Sequence, residues 1–479
     1  MLYDKLIFEI SQKGRIAHDL KVETNNLKKA LPKHLQRNNL DLPEVTELDV
    51  VRHYTNVSLK NFSVDKGFYP LGSCTMKYNP KINEQMANLE GFVNQHPLTP
   101  IKASQGSLKL MYEADRMISE ITGMDKVGLA PFAGAHGELI GLYIIKKYHE
   151  VNGDFKRTKI IVPDSAHGTN PASASVAGFE VIEVKSNENG LVNVEHLKEI
   201  LTDEVAGIML TNPNTVGLFE KDILKMSELI HENGGLLYYD GANLNPLLGK
   251  GKPGMMGFDI IHLNVHKTFS TPHGGGGPGA GPVGVVKELR DFLPGPIVEK
   301  DGNEYKFVYP KHSIGRVGNF YGNFGVYIKT VSYLKTLGKN NLEKVGQLAV
   351  LNANYLKESL KDDYKLVYPQ ACMHEVVFDG LKDKSTGIKT LDVAKRLLDF
   401  NVHPPTIYFP LVVSEALMME PTETESKETL DHYIKVLKQI AKEAKENPDI
   451  LREAPHTTPV RRLDEVTAAR EPKLKFKDL

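Results

Sequence analysis

The sequence predicts an α/β protein: a large domain built on a mostly parallel sheet, followed by a smaller α+β domain. Three observations carry this. Between about residues 105 and 290, short apolar runs alternate with helical patterns. Polar residues gather just past the carboxyl ends of those apolar runs, and after about residue 330 the alternation gives way to long amphipathic helices and scattered short strands. Strands that alternate with helices pair in parallel through right-handed crossovers.

In chain order, residues 1 to about 60 read as helical pieces interrupted at Pro32 and Pro43. The Gly- and Pro-containing stretch Phe68–Pro80 reads as a surface turn or a fixed binding loop. Cys74 within it has no evident base beside it and reads as a half-buried thiol. A helix near 108–121 leads to Val127–Leu129, the loop Pro131–Glu138 and a helix from Leu139 to Tyr148. The strand Lys159–Pro163 ends at Asp164–Asn170, and Val181–Val184 precedes a helix near 194–201. Ala206–Leu210 ends at Thr211–Thr215; a helix near 221–233 leads into Leu236–Tyr239 and then Asp240–Asn243. The last strand of the series, from Ile260, alternates through Ile261, Leu263 and Val265, then meets His266, Lys267 and four glycines, Gly274 to Gly277.

Beyond 330, one long helix near 331–360 precedes strands near 366–368 and 375–378, a helix near 390–400 and a strand near 406–409. A final helix carries Leu430, Tyr433, Ile434, Leu437, Ala441 and Ala444 on one stripe, a core-facing pattern. The tail from Pro455 reads as extended. The expected division is an N-terminal arm and loop (1–80), a large domain (81–330) and a small domain with a tail (331–479).

Composition excludes several function classes. The 479 residues hold 59 Lys+Arg against 60 Asp+Glu, so there is no electrostatic footprint for nucleic acid. No run of apolar residues is long enough to span a membrane. Two cysteines, Cys74 and Cys372, and an N-terminus without a basic and apolar leader point to a reducing cytoplasm.

His167, Thr211, Asn212, Asp240, His266 and Lys267 all fall past strand carboxyl ends, the edge where open α/β sheets bind ligands. A lysine there, beside a glycine run, suits a Schiff-base amine for a phosphate-bearing aldehyde, and pyridoxal phosphate asks for more groups of this kind. Asp240, 27 residues before Lys267, suits the carboxylate that keeps a pyridine nitrogen protonated; a helix N-cap is its other reading. Ala242 is small enough for a ring to lie flat, and His167 can cover a ring face and move a proton. Gly134-Ala135-His136-Gly137 opens a helix and offers amides to a phosphate. His262 and His266 stand four residues apart, but on a strand and without the Glu of HExxH, so no metal site is expected.

Several of these motifs are long. His262-Leu263-Asn264-Val265-His266-Lys267-Thr268-Phe269 with Pro272–Gly279, Ala166–Ala174, Asp240–Asn243 and Phe68–Lys77 together resemble the glycine decarboxylase P-protein family of the glycine cleavage system, over roughly residues 45 to 330. The resemblance implies a type I pyridoxal-phosphate-dependent transferase fold, with the cofactor held covalently by Lys267. It implies decarboxylation of glycine and transfer of the aminomethyl group to the oxidised lipoyl arm of H-protein. It also places His167 on the ring, Ala135 and His136 at the phosphate, Thr211 or Asn212 on the O3′ side, and His266 in the cofactor-binding set. Asn212 stands where an aromatic is expected in many relatives. The chain's length resembles the split form of the family, as the cofactor-bearing subunit 2, which implies a partner subunit 1 in a heterotetramer of two of each. The competing readings are another pyridoxal-phosphate decarboxylase, desulfurase or transaminase, and a scaffold subunit without chemistry.

Overall fold

The computed structural model describes residues 5–18, 32–37, 40–274 and 279–476. The chain forms two compact units, Met1–Gly67 with Arg462–Leu479, and Phe68–Arg461. In the first, the helix Glu47–Lys60 begins with a reciprocal cap: Asp49 N–H donates to the Thr46 hydroxyl, and Thr46 N–H donates to the Asp49 carboxylate. Among the described residues, only the 3₁₀ turn Lys33–Leu35 precedes it. The tail is not wholly extended. Asp464 accepts from Thr467 N–H and starts a helix, Glu465–Arg470, and Phe476 stacks on Phe8 with ring centres 5.0 Å apart.

The second unit holds a seven-stranded sheet. Its strands are β1 (Lys126–Gly128), β2 (Lys159–Pro163), β3 (Glu180–Val184), β4 (Val205–Thr211), β5 (Leu236–Gly241), β6 (Ile260–Leu263) and β7 (Val283–Val285), in the order β1-β7-β6-β5-β4-β2-β3. β2 to β6 pair in parallel, and β7 lies antiparallel between β6 and β1. Every residue of β4, β5 and β6 is buried, as for strands covered on both faces. The alternation of Ile261 and Leu263 therefore marks no solvent face. The lysine strand is also shorter than expected. β7 pairs with β6 only as far as His262, the strand ends at Leu263, and Lys267 rides on one helical turn, Val265–Thr268. The expected glycine loop lies, from Gly275 to Pro278, outside the described residues.

A hairpin, β8 (Ile297–Asp301) with β9 (Glu304–Val308), follows β7. The expected single helix over 331–360 is two helices, Phe324–Leu337 and Lys339–Leu360, because Gly338 takes φ 66° between them. A four-stranded antiparallel sheet comes next: β10 (Tyr364–Leu366), β11 (Val376–Leu381), β12 (Thr406–Ile407) and β13 (Ala416–Met419), ordered β10-β11-β13-β12. The predicted stripe of the helix Lys427–Glu446 is buried throughout and packs with β11 and β13 residues in one core.

The loop Phe68–Pro80 is bound to this second sheet. Leu71 bridges Met419, Gly72 N–H donates to Met418 O, and Glu420 N–H donates to Pro70 O. Further on, the Lys77 ammonium is fully buried. It donates to Asn245 Oδ1 (2.9 Å), Thr268 O (2.9 Å) and Tyr333 Oη (3.1 Å) and pairs with Glu423 at 2.8 Å. Lys77 thereby ties the loop to the turn that carries Lys267.

Two outcomes are expected. Lys77→Met strands the Glu423 carboxylate and should lower stability by ~3–5 kcal/mol, while adding Glu423→Gln should recover much of it, both read by denaturant unfolding. In Gly141→Ala, the added Cβ would overlap the buried Tyr238 ring. That should cost ~1–3 kcal/mol and lower the thermal midpoint; an unchanged midpoint would mean the helix Gly134–Val151 can shift freely.

Candidate active site

The parallel register of β5 and β6 sets Asp240 opposite His262 and Gly241 opposite Leu263. Asp240 thus stands at the carboxyl end of one strand, and Lys267 stands one turn past the carboxyl end of its neighbour. Asp240 is 2 % exposed and Lys267 9 %. Asp240 Oδ1 accepts from Ala242 N–H (3.0 Å) and Oδ2 from Asn170 Nδ2 (3.0 Å); His262 Nε2 lies 3.3 Å from Oδ1. Burial alone would push the Asp240 carboxyl up. His262, Asn170, the Ala242 amide and Lys267 outweigh it and hold the group below the usual carboxylate range.

A second carboxyl shares this corner. Glu138, on the helix Gly134–Val151, accepts from Asn170 Nδ2 (3.2 Å), Thr169 Oγ1 (3.1 Å) and Ser173 Oγ (3.3 Å). Burial and the charge of Asp240 push Glu138 up, against His262 and these donors. Asn170 Nδ2 therefore bridges the two carboxyls, one held below the usual carboxylate range and the other pushed above it. Tyr238 Oη, bonded to His262 Nδ1 at 2.8 Å, fixes the ring between them. Neither Glu138 nor Tyr238 was singled out from sequence. Both face the sheet from elements whose local pattern signals only packing.

The other expected residues fall as follows. His167 is exposed on the loop after β2, its Nδ1 2.7 Å from Thr169 Oγ1 and its ring 5.4 Å from that of Phe409. Ala242 is half-buried beside Asp240. Thr211 ends β4, buried, with its hydroxyl unpartnered. Asn212 is also buried: Oδ1 accepts from Glu220 N–H, and Nδ2 has no partner. Ala135 and His136 lie in the first turn of the helix Gly134–Val151, whose N-cap residue, Ala133, makes no side-chain cap. Ala135 is exposed, whereas His136 Nδ1 accepts from Phe132 N–H at 3.2 Å. His266 packs edge-on to His273, ring centres 4.7 Å apart. Burial, then His273, Lys267 and His262, lower His266 to about 3, so it stays neutral.

A third group of residues comes from the antiparallel sheet. His374, Glu375 and Glu420 are fully buried, and the field of Lys267 reaches all three. Cys74, on the loop above them, is pushed up by burial, lowered by Lys267 and raised by Glu420 and Glu375. Sequence reading could not find this group, because Glu375 and Glu420 meet only through the pairing of β11 with β13, and their loop donors Ser73 and Thr75 lie 302 and 345 residues earlier in the chain.

Four unpartnered buried atoms, Asn264 Oδ1, His266 Nδ1, Thr268 Oγ1 and Thr271 Oγ1, belong to the segment that carries Lys267, and two more, Thr211 Oγ1 and Asn212 Nδ2, stand at the carboxyl end of β4. Buried polar groups are normally satisfied, so such a cluster marks a polar ligand's place. Two glycines bring the helix start close to it. A Cβ on Gly134 would stand 2.5 Å from the Asn264 side chain, and one on Gly137 would stand 2.8 Å from Gly281 O.

Comparison with known proteins identifies the family and the fold. The model for the glycine cleavage system P-protein matches residues 18–306, and that for the glycine dehydrogenase C-terminal domain matches 345–456. A probable glycine dehydrogenase (decarboxylating) subunit 2 from Caldanaerobacter subterraneus subsp. tengcongensis is 62 % identical over 479 residues, covering 99 % of each chain. One from Alkaliphilus oremlandii is 59 % identical over 473 residues, 98 % of this chain and 97 % of that one. Among solved structures, an inhibitor-bound glycine decarboxylase (P-protein) of the glycine cleavage system superposes with TM-score 0.73 at 20 % identity, covering 86 % of this chain and 94 % of that one. A cysteine desulfurase from Thermococcus onnurineus NA1 gives 0.62 at 14 % identity over 79 % and 95 % of the two chains. Those two likenesses show the fold, that of the type I pyridoxal-phosphate-dependent transferases. The sequence matches go further: the chain belongs to the glycine cleavage system P-protein family, with the glycine dehydrogenases (decarboxylating) of the subunit 2 type.

Proposed function

We propose that the chain binds pyridoxal 5′-phosphate covalently through Lys267 and decarboxylates glycine, passing the aminomethyl group to the lipoyl arm of H-protein. The observation that carries this is the meeting of Asp240 and Lys267 at adjacent strand ends, with unsatisfied polar atoms around them. When bound, the cofactor supplies an electron sink for the pair of electrons left on glycine as carbon dioxide departs.

The chain's own groups prepare for that. The ionised Asp240, held in place by Asn170 and Ala242, keeps a proton on the ring nitrogen. Glu138 behind it, raised by burial and by the charge of Asp240, competes with Asp240 for the Asn170 amide. Thr211 takes the O3′ side, with the Asn212 amide as a further donor. The open first turn at Gly134, Ala135 and His136 offers N–H groups and the positive end of a helix to the phosphate. His167 would cover one face of the ring and carry protons, and the small Ala242 would leave room for the other face. The neutral His266 and His273 near the Lys267 amine remove water without adding charge.

The subunit 2 designation of the relatives supports a partner subunit 1; assembly as a pair of each, with lipoylated H-protein as the acceptor, completes the proposal. Two free cysteines support a cytoplasmic setting; among the described residues, no helix is long and apolar enough to cross a membrane.

With its partner subunit, the chain should exchange labelled bicarbonate into the glycine carboxyl. Lys267→Ala should abolish both that exchange and the visible absorbance of bound cofactor, while Asp240→Asn should keep the cofactor and slow exchange ~100–1000-fold. Retention of the absorbance in Lys267→Ala, or faster exchange with a larger amino acid than with glycine, would overturn the proposal.

A further inference from the structure

His262 is fully buried on β6, and the start of the helix Gly134–Val151 presses on it: a Cβ on Gly137 would stand 2.9 Å from the His262 Cβ. Each of its ring nitrogens faces one group. Nδ1 lies 2.8 Å from Tyr238 Oη. Nε2 lies 3.3 Å from Asp240 Oδ1 without closing into a formed hydrogen bond. Which nitrogen carries a hydrogen is set, for a buried imidazole, by the bond that the other nitrogen makes.

The Tyr238 hydroxyl makes that choice. Burial, with the charges of Glu138 and Asp240, pushes this phenol well above its usual range, so it keeps its hydrogen. That one hydrogen has two acceptors in reach, His262 Nδ1 at 2.8 Å and Gly137 O at 3.3 Å. The second distance exceeds the ordinary span of a hydroxyl bond to oxygen, about 2.5–3.0 Å, so the hydrogen belongs to Nδ1. A ring bearing one hydrogen then holds it on Nε2, aimed at Asp240. The opposite tautomer would set a lone pair against the carboxylate, two acceptors 3.3 Å apart with both residues buried.

We propose that His262, its tautomer fixed by Tyr238, is a positioning residue for the reaction: its Nε2–H holds the Asp240 carboxylate in the orientation and charge that the cofactor's ring nitrogen requires. This rests on the role of Asp240 proposed above. The two formed bonds to Asp240 do not suffice by themselves, because Asn170 Nδ2 is shared with Glu138 at 3.2 Å, which leaves the Ala242 amide as the one undivided donor. His262 adds a donor from the neighbouring strand, and that donor depends on a single hydroxyl.

The test begins with the cofactor-free chain labelled with 15N-histidine. The His262 signals, identified by their loss in His262→Gln, should show hydrogen on Nε2 alone, and Tyr238→Phe should give a mixture of tautomers. In the chain loaded with ring-15N pyridoxal phosphate, the ring nitrogen should read as protonated in wild type. It should move toward the unprotonated value in His262→Leu, and less far in Tyr238→Phe. With the partner subunit present, His262→Leu should lower kcat for bicarbonate exchange ~10–100-fold and leave the KM for glycine near wild type. His262→Gln, whose amide can replace Nε2–H, should recover the ring-nitrogen signal and part of the rate. Should His262→Leu fail to fold, Tyr238→Phe, which removes only an oxygen, carries the same comparison. Hydrogen on Nδ1 in wild type, alone or together with Nε2, would overturn the proposal. So would a ring nitrogen equally protonated in wild type and in the folded variants, which leaves the role of Asp240 standing. A ring nitrogen unprotonated in wild type removes the role of Asp240 and this inference with it.

Discussion

The register between two parallel strands governs the rest of the site. With Asp240 opposite His262, the carboxylate and the Lys267 turn leave the sheet side by side. A buried carboxylate loses its hydration, so its ionised form survives only where donors and positive charge replace that water. Asn170, the Ala242 amide, His262 and Lys267 provide the replacement, and Tyr238 fixes His262 from the next position along. Shifting that register by one residue would turn Asp240 to the other face of the sheet.

Two buried carboxyl pairs are given different characters by their surroundings. Glu138 and Asp240 are pushed in opposite directions, the first up and the second down. Glu375 and Glu420 both rise, Glu375 through burial and the charge of Glu420, Glu420 through burial against its Thr75 donors. The separation of Glu138 from Asp240 suits a fixed charge where a ring nitrogen needs a constant partner. The loop Phe68–Pro80 links the two regions. Its left-handed residues donate to the second pair, and its Lys77 holds the carbonyl of Thr268, next to Lys267.

The parts of this molecule that could be read from sequence are those written in local pattern. The five parallel strands and the stripe of the helix Lys427–Glu446 follow from apolar periodicity, and Asp240, Thr211 and Lys267 follow from position at strand ends. β7 and the β8–β9 hairpin escaped because they are short and sit among glycines and prolines. The break at Gly338 was missed because apolar periodicity continues across it. Glu375 and Glu420 could not be found at all. Each looks like an ordinary charged residue at a strand end, and only the antiparallel pairing of β11 and β13, with a loop some 300 residues earlier in the chain, makes them a site.

The central claim is that a single small ring spans Asp240 and Lys267. A crystal structure of the cofactor-loaded protein tests it most directly. The account predicts continuous density from the Lys267 Nζ to the cofactor, with the ring nitrogen within hydrogen-bond distance of an Asp240 oxygen. A ring bound with its nitrogen turned away from Asp240, or attached to another amine, would contradict it.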